Sequence, residues 1–272
     1  MPLYLRYRVD TTIPVEVEGL TPDVVRGKSL PEIERTEIFH GNRRLPLAEL
    51  FQVSGDPSDG QMIWEGDLSG VHWIGAKLRE GVIRVEGNAG RHLGSEMTGG
   101  EIHVSGDAGD WVGGEMKGGL IHVRGRAGHL VGAAYRGSRL GMKGGTILIN
   151  GDAGNEVGRI MRRGLIAVGG NAGDLVGFNM AAGAVFIFGE AGIRHGAGMR
   201  RGSLGLFGAK SPRLLPSFRY ACRYRPVVLP LMFRQLRQYG FHVPDELESA
   251  LFDLYNGDLL EGGRGEVLVR AV

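Results

Sequence analysis

The chain is poor in cysteine and has no long hydrophobic run. Its 272 residues include a single cysteine, Cys222, which excludes an internal disulfide and is typical of a reducing compartment. The apolar run at 227–233 is far shorter than the ~20 residues that a membrane-spanning helix needs. The first ten residues also lack the apolar stretch of a signal peptide. We therefore expect a cytoplasmic protein with no membrane partner.

An excess of charge of one sign is also missing. The 32 Lys and Arg residues almost balance the 30 Asp and Glu residues, which leaves a formal net charge of +2. A general nucleic-acid-binding protein needs a concentrated basic face, and this composition does not supply one. We therefore expect no nucleic-acid partner.

Glycine, by contrast, is abundant, and most of the 48 glycines lie in the segment 58–208. This segment contains six consecutive repeat units, five of 19 residues and one of 26. The units are 79–97, 98–116, 117–142, 143–161, 162–180 and 181–199, with a degenerate first copy at 58–78 and a truncated last copy at 200–208. A fixed period of this length is typical of a solenoid, in which each unit packs against the next.

The apolar residues of each unit follow the pattern of a short strand. The fifth and seventh positions are apolar and mostly β-branched, as in Ile121 and Val123, whereas the position between them varies. Glycines follow each strand where the coil must turn, as at Gly106 and Gly109. The pattern predicts an all-β fold, a single-stranded β-helix (β-solenoid) of about seven to eight coils over 58–208.

The two ends of the chain lack this glycine pattern. Residues 1–57 combine alternating stretches, short helix starts and a turn at Gly41–Asn42, which predicts a small α+β cap. Residues 209–272 predict a helical extension that ends in a strand and either caps the far end or contacts a neighbouring subunit. The first predicted helix has one apolar face, formed by Val228, Met232, Leu236 and Tyr239. The second predicted helix begins at Asp245 and carries Leu247, Leu251 and Leu254.

No arrangement of residues predicts catalysis or metal binding. None of the Gly-rich fragments ends in the Gly-Lys-Ser/Thr of a phosphate-binding loop, and the 19-residue period differs from that of hexapeptide acyltransferases. His103 and His122 occupy the same outward column on adjacent units, close enough to share a metal ion, but no third ligand joins them. We interpret this column as an exposed polar ladder that becomes apolar where another element covers it. The remaining histidines of the repeat form no recognisable acid–base pair: His92, His129 and His195.

Two features are typical of contact surfaces. A basic stripe follows the first two positions of successive units and includes Lys117, Lys143, Arg162, Arg163, Arg200 and Arg201. It is either a solvated face or a binding surface for an acidic partner or a polyanion, with the four arginines as the candidate polyanion contacts. The seven-residue insertion at 135–141 projects from one unit, and insertions in solenoids are often on the binding side. We expect Arg136, Arg139, Lys117 and Lys143 to contact a partner.

The repeat resembles the C subunit of formylmethanofuran dehydrogenase and its bacterial relative in the formyltransferase/hydrolase complex. The "GxAGxxxG" corners and the methionine at the end of each unit carry this resemblance. It extends to both ends of the chain, at 20–33, 38–55 and 257–269. Over 58–208 alone, the chain also resembles the C-terminal domain of glutamate synthase large subunits.

The resemblance implies a non-catalytic scaffold in a hetero-oligomer that oxidises formaldehyde to formate. The implied partners are an amidohydrolase-like A subunit with a metal site, a B subunit and a formyltransferase D subunit. The complex would use tetrahydromethanopterin and a methanofuran-type cofactor with a glutamate-containing tail, and we expect this chain itself to bind no cofactor.

Three alternatives to this function remain open. The first is the same subunit in a tungsten or molybdenum formylmethanofuran dehydrogenase. The second is a stand-alone glutamate-synthase-like module, and the third is an acyltransferase solenoid. The arginine-rich tail at 220–238 favours the hydrolase form.

Overall fold

The fold, taken from a computed structural model that describes residues 1–271, is mostly β with few helices. The strands are β1 (Leu3–Tyr7), β2 (Val15–Glu16), β3 (Glu37–His40), β4 (Arg43–Pro46), β5 (Phe51–Ser54), β6 (Gln61–Glu65), β7 (Val71–His72), β8 (Val82–Glu86), β9 (Glu101–Val104), β10 (Leu120–Val123), β11 (Thr146–Ile149), β12 (Leu165–Val168), β13 (Ala184–Ile187), β14 (Arg201–Leu206), β15 (Arg219–Tyr224), β16 (Phe252–Gly257) and β17 (Arg264–Arg270). The α-helices are α1 (Pro22–Val25), α2 (Leu30–Glu34) and α3 (Leu229–Gln238). Short 3₁₀ turns lie at Leu47–Glu49, Pro57–Asp59, Asp245–Leu247 and Leu259–Glu261.

Most strands belong to one large sheet. Its order is β15-β16-β17-β14-β13-β12-β11-β10-β9-β8-β6-β1-β5, and a smaller sheet has the order β4-β3-β2-β7. Pairing in the large sheet is parallel from β1 to β17 and antiparallel only at its two ends. Equivalent residues of successive units pair directly, so Ile121 lies between Ile102 and Ile147. Neither sheet forms a closed barrel within residues 1–271.

The units are also hydrogen-bonded to one another outside the strands. A second parallel ladder runs through one alanine per unit, for example from Ala108 to Ala127. Further bonds come from residues with positive φ, such as the bond of 2.9 Å from the His92 N–H to the Asp110 carbonyl oxygen. Backbones therefore approach closely at the corners. A Cβ at Gly106 would lie 2.7 Å from the carbonyl oxygen of Gly87, closer than non-bonded contact permits, so only glycine fits there.

The inner side of the sheet contains one continuous apolar core. Ile121 and Val123 are fully buried, and the same holds for most fifth- and seventh-position residues, which confirms the predicted strand pattern. The methionine that ends each unit is buried in the same core: Met97, Met116, Met142, Met161, Met180 and Met199 are all 0% exposed. The repeated methionine is therefore a core residue.

The outer side of the sheet is partly covered by the C-terminal region. Leu148, Ala167 and Phe186 point outward from β11, β12 and β13, yet they are buried. Leu229, Phe233 and Leu236 of α3 belong to the same cluster. This confirms the prediction that the outward column becomes apolar where another element covers it, but the prediction that its polar members are exposed is wrong for His122, which is 0% exposed.

The C-terminal predictions are confirmed only in part. A helix forms at Leu229–Gln238 and a final strand at Arg264–Arg270, as predicted. The predicted apolar face of the helix is only half correct: Leu236 is buried and Met232 packs against the same cluster, but Val228 and Tyr239 are exposed. Phe233, which was not predicted, is buried. The second predicted helix is wrong, since only a 3₁₀ turn follows Asp245 and Leu254 lies in β16. The leucines have helical spacing, but Leu254 instead joins a strand because β16 forms backbone hydrogen bonds with β17. This tertiary pairing stabilises the segment more than the local preference for a helix does.

The N-terminal 57 residues contain both helices and strands, as predicted. β1 pairs with β6 and β5 in the large sheet, and β3 and β4 form a hairpin around Gly41. Helix α2 begins with a capping box in which Ser29 and Glu32 exchange backbone and side-chain hydrogen bonds.

The apolar core predicts the effect of a buried charge at its centre. Replacing Ile121, which is 0% exposed, with Asp should lower the free energy of unfolding by more than about 4 kcal/mol, because an unpaired carboxylate would lose its hydration. Denaturant unfolding measures this change. The exposed residue Arg136 provides the control, since Arg136→Ser should leave the midpoint unchanged. An unaltered midpoint for Ile121→Asp would contradict the register described above.

Candidate functional site

The insertion and the basic stripe meet at two adjoining surface clefts, which together we call the basic cleft. Their volumes are about 510 and 660 Å³, and both are lined by Leu140, Arg162 and Ala181. The first is completed by Lys143, Arg163, Ala182 and Arg201, and the second by Arg139, Ile160, Asn179, Gly198, Arg200 and Glu261. Side chains of the insertion thus lie beside the stripe, although they come from a different unit.

The backbone ladder fixes the position of the stripe. The N–H of Arg162 donates to the carbonyl oxygen of Met142 at 2.8 Å, and the N–H of Arg200 donates to that of Met180 at 2.8 Å. Each arginine follows a methionine whose side chain fills the core, so its own side chain points to solvent. Two units separate Arg162 from Arg200, which corresponds to about 10 Å at the usual interstrand spacing.

The basic cleft has uncompensated positive charge. Its lining includes six cationic side chains and one acid, Glu261, whose Oε2 lies 3.1 Å from Nε of Arg200. Arg162, Arg163 and Arg201 are exposed and form no ion pair with any side chain of residues 1–271. Unpaired guanidinium groups can bind carboxylates or phosphates through two parallel hydrogen bonds. The cleft is therefore suited to an anionic ligand or an acidic protein surface.

The structure brings together most of the basic residues that the sequence singled out. Arg162, Arg163, Arg200, Arg201, Lys143 and Arg139 line the basic cleft. Two predicted contact residues lie outside it. Lys117 pairs with Glu96 at 3.4 Å, and Arg136 is exposed at the tip of the insertion.

A cluster of aromatic rings, which the sequence pattern did not reveal, lies at the start of the insertion. His92 stacks between two tryptophans, with ring centroids 4.1 Å from Trp73 and 5.4 Å from Trp111. Tyr135 packs against the same rings at 5.6 to 6.1 Å. The three stacked residues occupy equivalent positions of successive units, so comparing the sequence at 19-residue intervals finds the stack. It does not find Tyr135, because the insertion has no counterpart in the other units.

Tyr135 attaches the insertion to the stack through hydrogen bonds. Its hydroxyl lies 3.0 Å from Nδ1 of His92 and 2.7 Å from Oγ of Ser95, and its N–H donates to Oε1 of Glu115 at 3.1 Å. Burial and the neighbouring charge of Arg91 lower the pKa of His92 to about 4, and burial raises the pKa of Tyr135 to about 12. Neither group changes protonation near pH 7, so the pair is suited to a structural bond rather than to proton transfer.

His103 and His122 have separate partners. Their ring centroids are 6.4 Å apart, but Nε2 of His103 lies 2.9 Å from Oε2 of Glu101 and Nε2 of His122 lies 2.9 Å from Oδ1 of Asn150. Burial lowers the pKa of His122, which is 0% exposed.

Within residues 1–271, no group of three His, Cys, Asp or Glu side chains has an arrangement that could hold a metal ion. The same part of the chain contains no helix with the length and hydropathy required to cross a bilayer.

Comparisons with known proteins identify relatives of this chain. A model of the family described as GXGXG motif matches residues 70–212. The C subunit of tungsten-containing formylmethanofuran dehydrogenase 2 from Methanothermobacter wolfeii is 38% identical over 86 residues, which cover 30% of this chain and 32% of the relative. The C subunit of molybdenum-containing formylmethanofuran dehydrogenase 1 from Methanothermobacter thermautotrophicus is 43% identical over 86 residues, or 31% and 22% of the two chains. The matched segment spans a third or less of these curated relatives.

A solved structure matches over a much greater length. It is a chain from the crystal structure of the formyltransferase/hydrolase complex (FhcABCD) of Methylorubrum extorquens in complex with methylofuran. The TM-score is 0.90 at 35% identity, and the match covers 99% of this chain and 100% of the other.

The low pKa of His92 predicts that acid destabilises the fold. The unfolded chain binds a proton at this residue below about pH 6.5, whereas the folded protein binds it only near pH 4. Stability should therefore fall as the pH decreases from 6.5 to 4, and His92 alone should contribute a loss of about 2 kcal/mol at pH 5. Urea unfolding of the wild type and His92→Asn at pH 7.5 and pH 5 measures this contribution. Equal pH dependence in the two proteins would contradict it.

Proposed function

The chain belongs to the GXGXG motif family, and we propose that it is a non-catalytic structural subunit of a formyltransferase/hydrolase complex. The complex would oxidise one-carbon units from formaldehyde to formate by means of tetrahydromethanopterin and a methanofuran-type cofactor. The observation that carries the proposal is the full-length match, at a TM-score of 0.90, to a chain of such a complex.

The stacking of the units supports the proposed scaffold role. We infer that 58–208 winds as a single-stranded β-helix, with 1–57 as an α+β cap and 209–272 as an extension. The strand ladder, the alanine ladder and the bonds from residues with positive φ support this winding, because they join each unit to the next at several points. Such a rod is rigid along its length and exposes a long surface for other proteins. We expect the amidohydrolase-like A subunit, the B subunit and the formyltransferase D subunit to bind to it.

The charged surfaces support binding rather than chemistry. The basic cleft is lined by cationic side chains, and its one carboxylate, Glu261, is paired with Arg200. We propose that Arg162, Arg163, Arg200 and Arg201 bind a polyanion such as the glutamate tail of a furan cofactor, and that Arg136, Arg139, Lys117 and Lys143 contact a neighbouring protein of the complex. The related crystal structure was solved in complex with methylofuran.

A second candidate is the C subunit of a molybdenum or tungsten formylmethanofuran dehydrogenase. The identity of 43% over 86 residues with the molybdenum-enzyme relative favours it, but the match covers 22% of that protein. The full-length structural match favours the hydrolase complex.

Affinity purification of the tagged chain from its native cells tests the proposed function. Recovery of an amidohydrolase together with a formyltransferase would support the hydrolase complex. Recovery of a molybdopterin-containing protein with iron–sulfur proteins would support the dehydrogenase instead. A glutaminase would favour a module of amino-nitrogen metabolism, and formyl-transfer or hydrolytic turnover by the isolated chain would overturn the non-catalytic role.

The basic cleft predicts a loss of polyanion binding when its charges are removed. Replacing Arg162, Arg163, Arg200 and Arg201 with Gln should weaken binding of a synthetic polyglutamate peptide about 10- to 100-fold, because each exposed ion pair contributes less than about 1 kcal/mol. Isothermal titration calorimetry at low salt measures the affinity. A matched control removes four exposed arginines elsewhere: Arg8, Arg35, Arg43 and Arg234. Equal affinities of the two variants would show that net charge, and not the cleft, governs binding.

A further inference from the structure

Strand β15 forms an open edge of the large sheet. It lies at one end of the sheet order and pairs only with β16. Along its other edge, the backbone has no strand partner within residues 1–271. An unpaired edge presents a row of N–H and C=O groups to which another strand can bond.

Burial of its own side chains does not account for the position of β15 at the edge of the sheet. Five of its six residues are exposed, and Tyr220 has a relative exposure of 56%. The strand at the opposite end of the sheet, β5, differs in this respect, since Phe51 and Val53 are 1% and 8% exposed. A strand that is held by one neighbour and buries little is marginally stable by itself. A further strand along its free edge would complete its hydrogen bonds and bury its side chains.

A second copy of the same strand is a poor occupant of this edge. Antiparallel pairing of two copies of β15 would bring together two segments 210–225, each with unpaired cations such as Arg219 and Arg225 and with no Asp or Glu. Like charges on adjacent strands destabilise strand pairing. The pairing register with β16 also shifts between Tyr220 and Cys222, and such a bulge distorts a self-complementary edge. Charge and bulge therefore act against self-association.

The charge of this region favours an acidic occupant. The segment 210–225 contains Lys210, Arg213, Arg219, Arg223 and Arg225 and no Asp or Glu. Arg223 is already neutralised by Asp253, through two contacts of 2.8 Å. The other four cations form no ion pair with the side chains of residues 1–271. Their positive charge is therefore available for ion pairs with a partner protein.

From these observations we propose that β15 accepts an additional β-strand with acidic side chains from another protein. The inference rests on the proposed function, because that partner would be another protein of the same complex. Main-chain hydrogen bonds would supply the attachment, and carboxylates near Arg219 and Arg225 would select the partner. The ring of Tyr220, whose centroid lies 5.7 Å from that of Tyr255, would pack against an apolar residue of the incoming strand.

Hydrogen exchange tests whether a strand is added to this edge. The complex is purified from native cells through a tag on this chain, and its exchange is compared with that of the isolated chain. Amides of 219–224 that are free in the isolated chain should exchange at least about 100-fold more slowly in the complex. Amides of β16, which is paired on both sides, should not change and serve as the internal control. If the complex assembles and the β15 amides stay unprotected, the inference is wrong and the proposed function stands.

Charge reversal tests the chemistry of the partner. Arg219→Glu should weaken assembly with the purified partner proteins at least about tenfold, whereas Arg219→Lys should retain it. Arg43→Glu is the matched control, because Arg43 is an exposed arginine on β4, an edge strand of the other sheet. Arg219 is exposed, so the thermal midpoint of the isolated variant should equal that of the wild type.

The remaining outcomes are also decisive. Equal losses for Arg219→Glu and Arg43→Glu would overturn the inference, because they would show a response to net charge alone. Concentration-dependent protection of 219–224 in the isolated chain would overturn it in favour of a second copy. If no partner co-purifies with the chain, the inference and the proposed function both fail.

Discussion

The close stacking of backbone on backbone is the constraint on which the rest of this structure depends. Each unit completes its hydrogen bonds through units one period away, at the strands, at the alanine ladder and at the corners. At Gly106 the neighbouring backbone occupies the space that a side chain would need. The glycines recur because every unit must follow the same path at the same distance from its neighbours. Their abundance is therefore explained by the architecture of the repeat.

Much of the fold could be predicted from the sequence because equivalent positions of all units have the same structural environment. The residue types at one position can therefore be compared across all the units. Ile121 and Val123 follow a pattern that six other copies share. The apolar part of the outward column, with Leu148 and Phe186, indicated that another element covers it, but it did not identify that element as α3. The basic stripe could be predicted for the same reason, since Arg162 and Arg200 share a column, but its meeting with the insertion in one cleft could not. Features that occur once could not be predicted in this way. The bond between Tyr135 and His92 depends on the path of the insertion, and Leu254 joins a strand because β17 offers an edge far away in sequence.

The polar groups described above are of two kinds: a neutral hydrogen-bonded pair and exposed cationic side chains. His92 and Tyr135 form a close hydrogen-bonded pair, but their pKa values of about 4 and about 12 keep both groups neutral at physiological pH. The cationic groups of the basic cleft and of β15 are exposed and have few acids nearby. The sheet places these exposed cationic groups at regular spacings along its length.

The position of α3 has a consequence for how such a chain can evolve. In a simple solenoid each repeat contacts only its neighbours, so that a unit can be lost or gained while the other interfaces stay the same. Here one helix covers outward residues of β11, β12 and β13, while β17 from the same tail pairs with β14. Deletion of the unit that contains β11 would carry the tail along with β14 and leave a different residue in the place of Leu148 beneath α3. The tail thus makes the units that it covers unequal to the others, because each of them must supply an outward residue that packs against the helix.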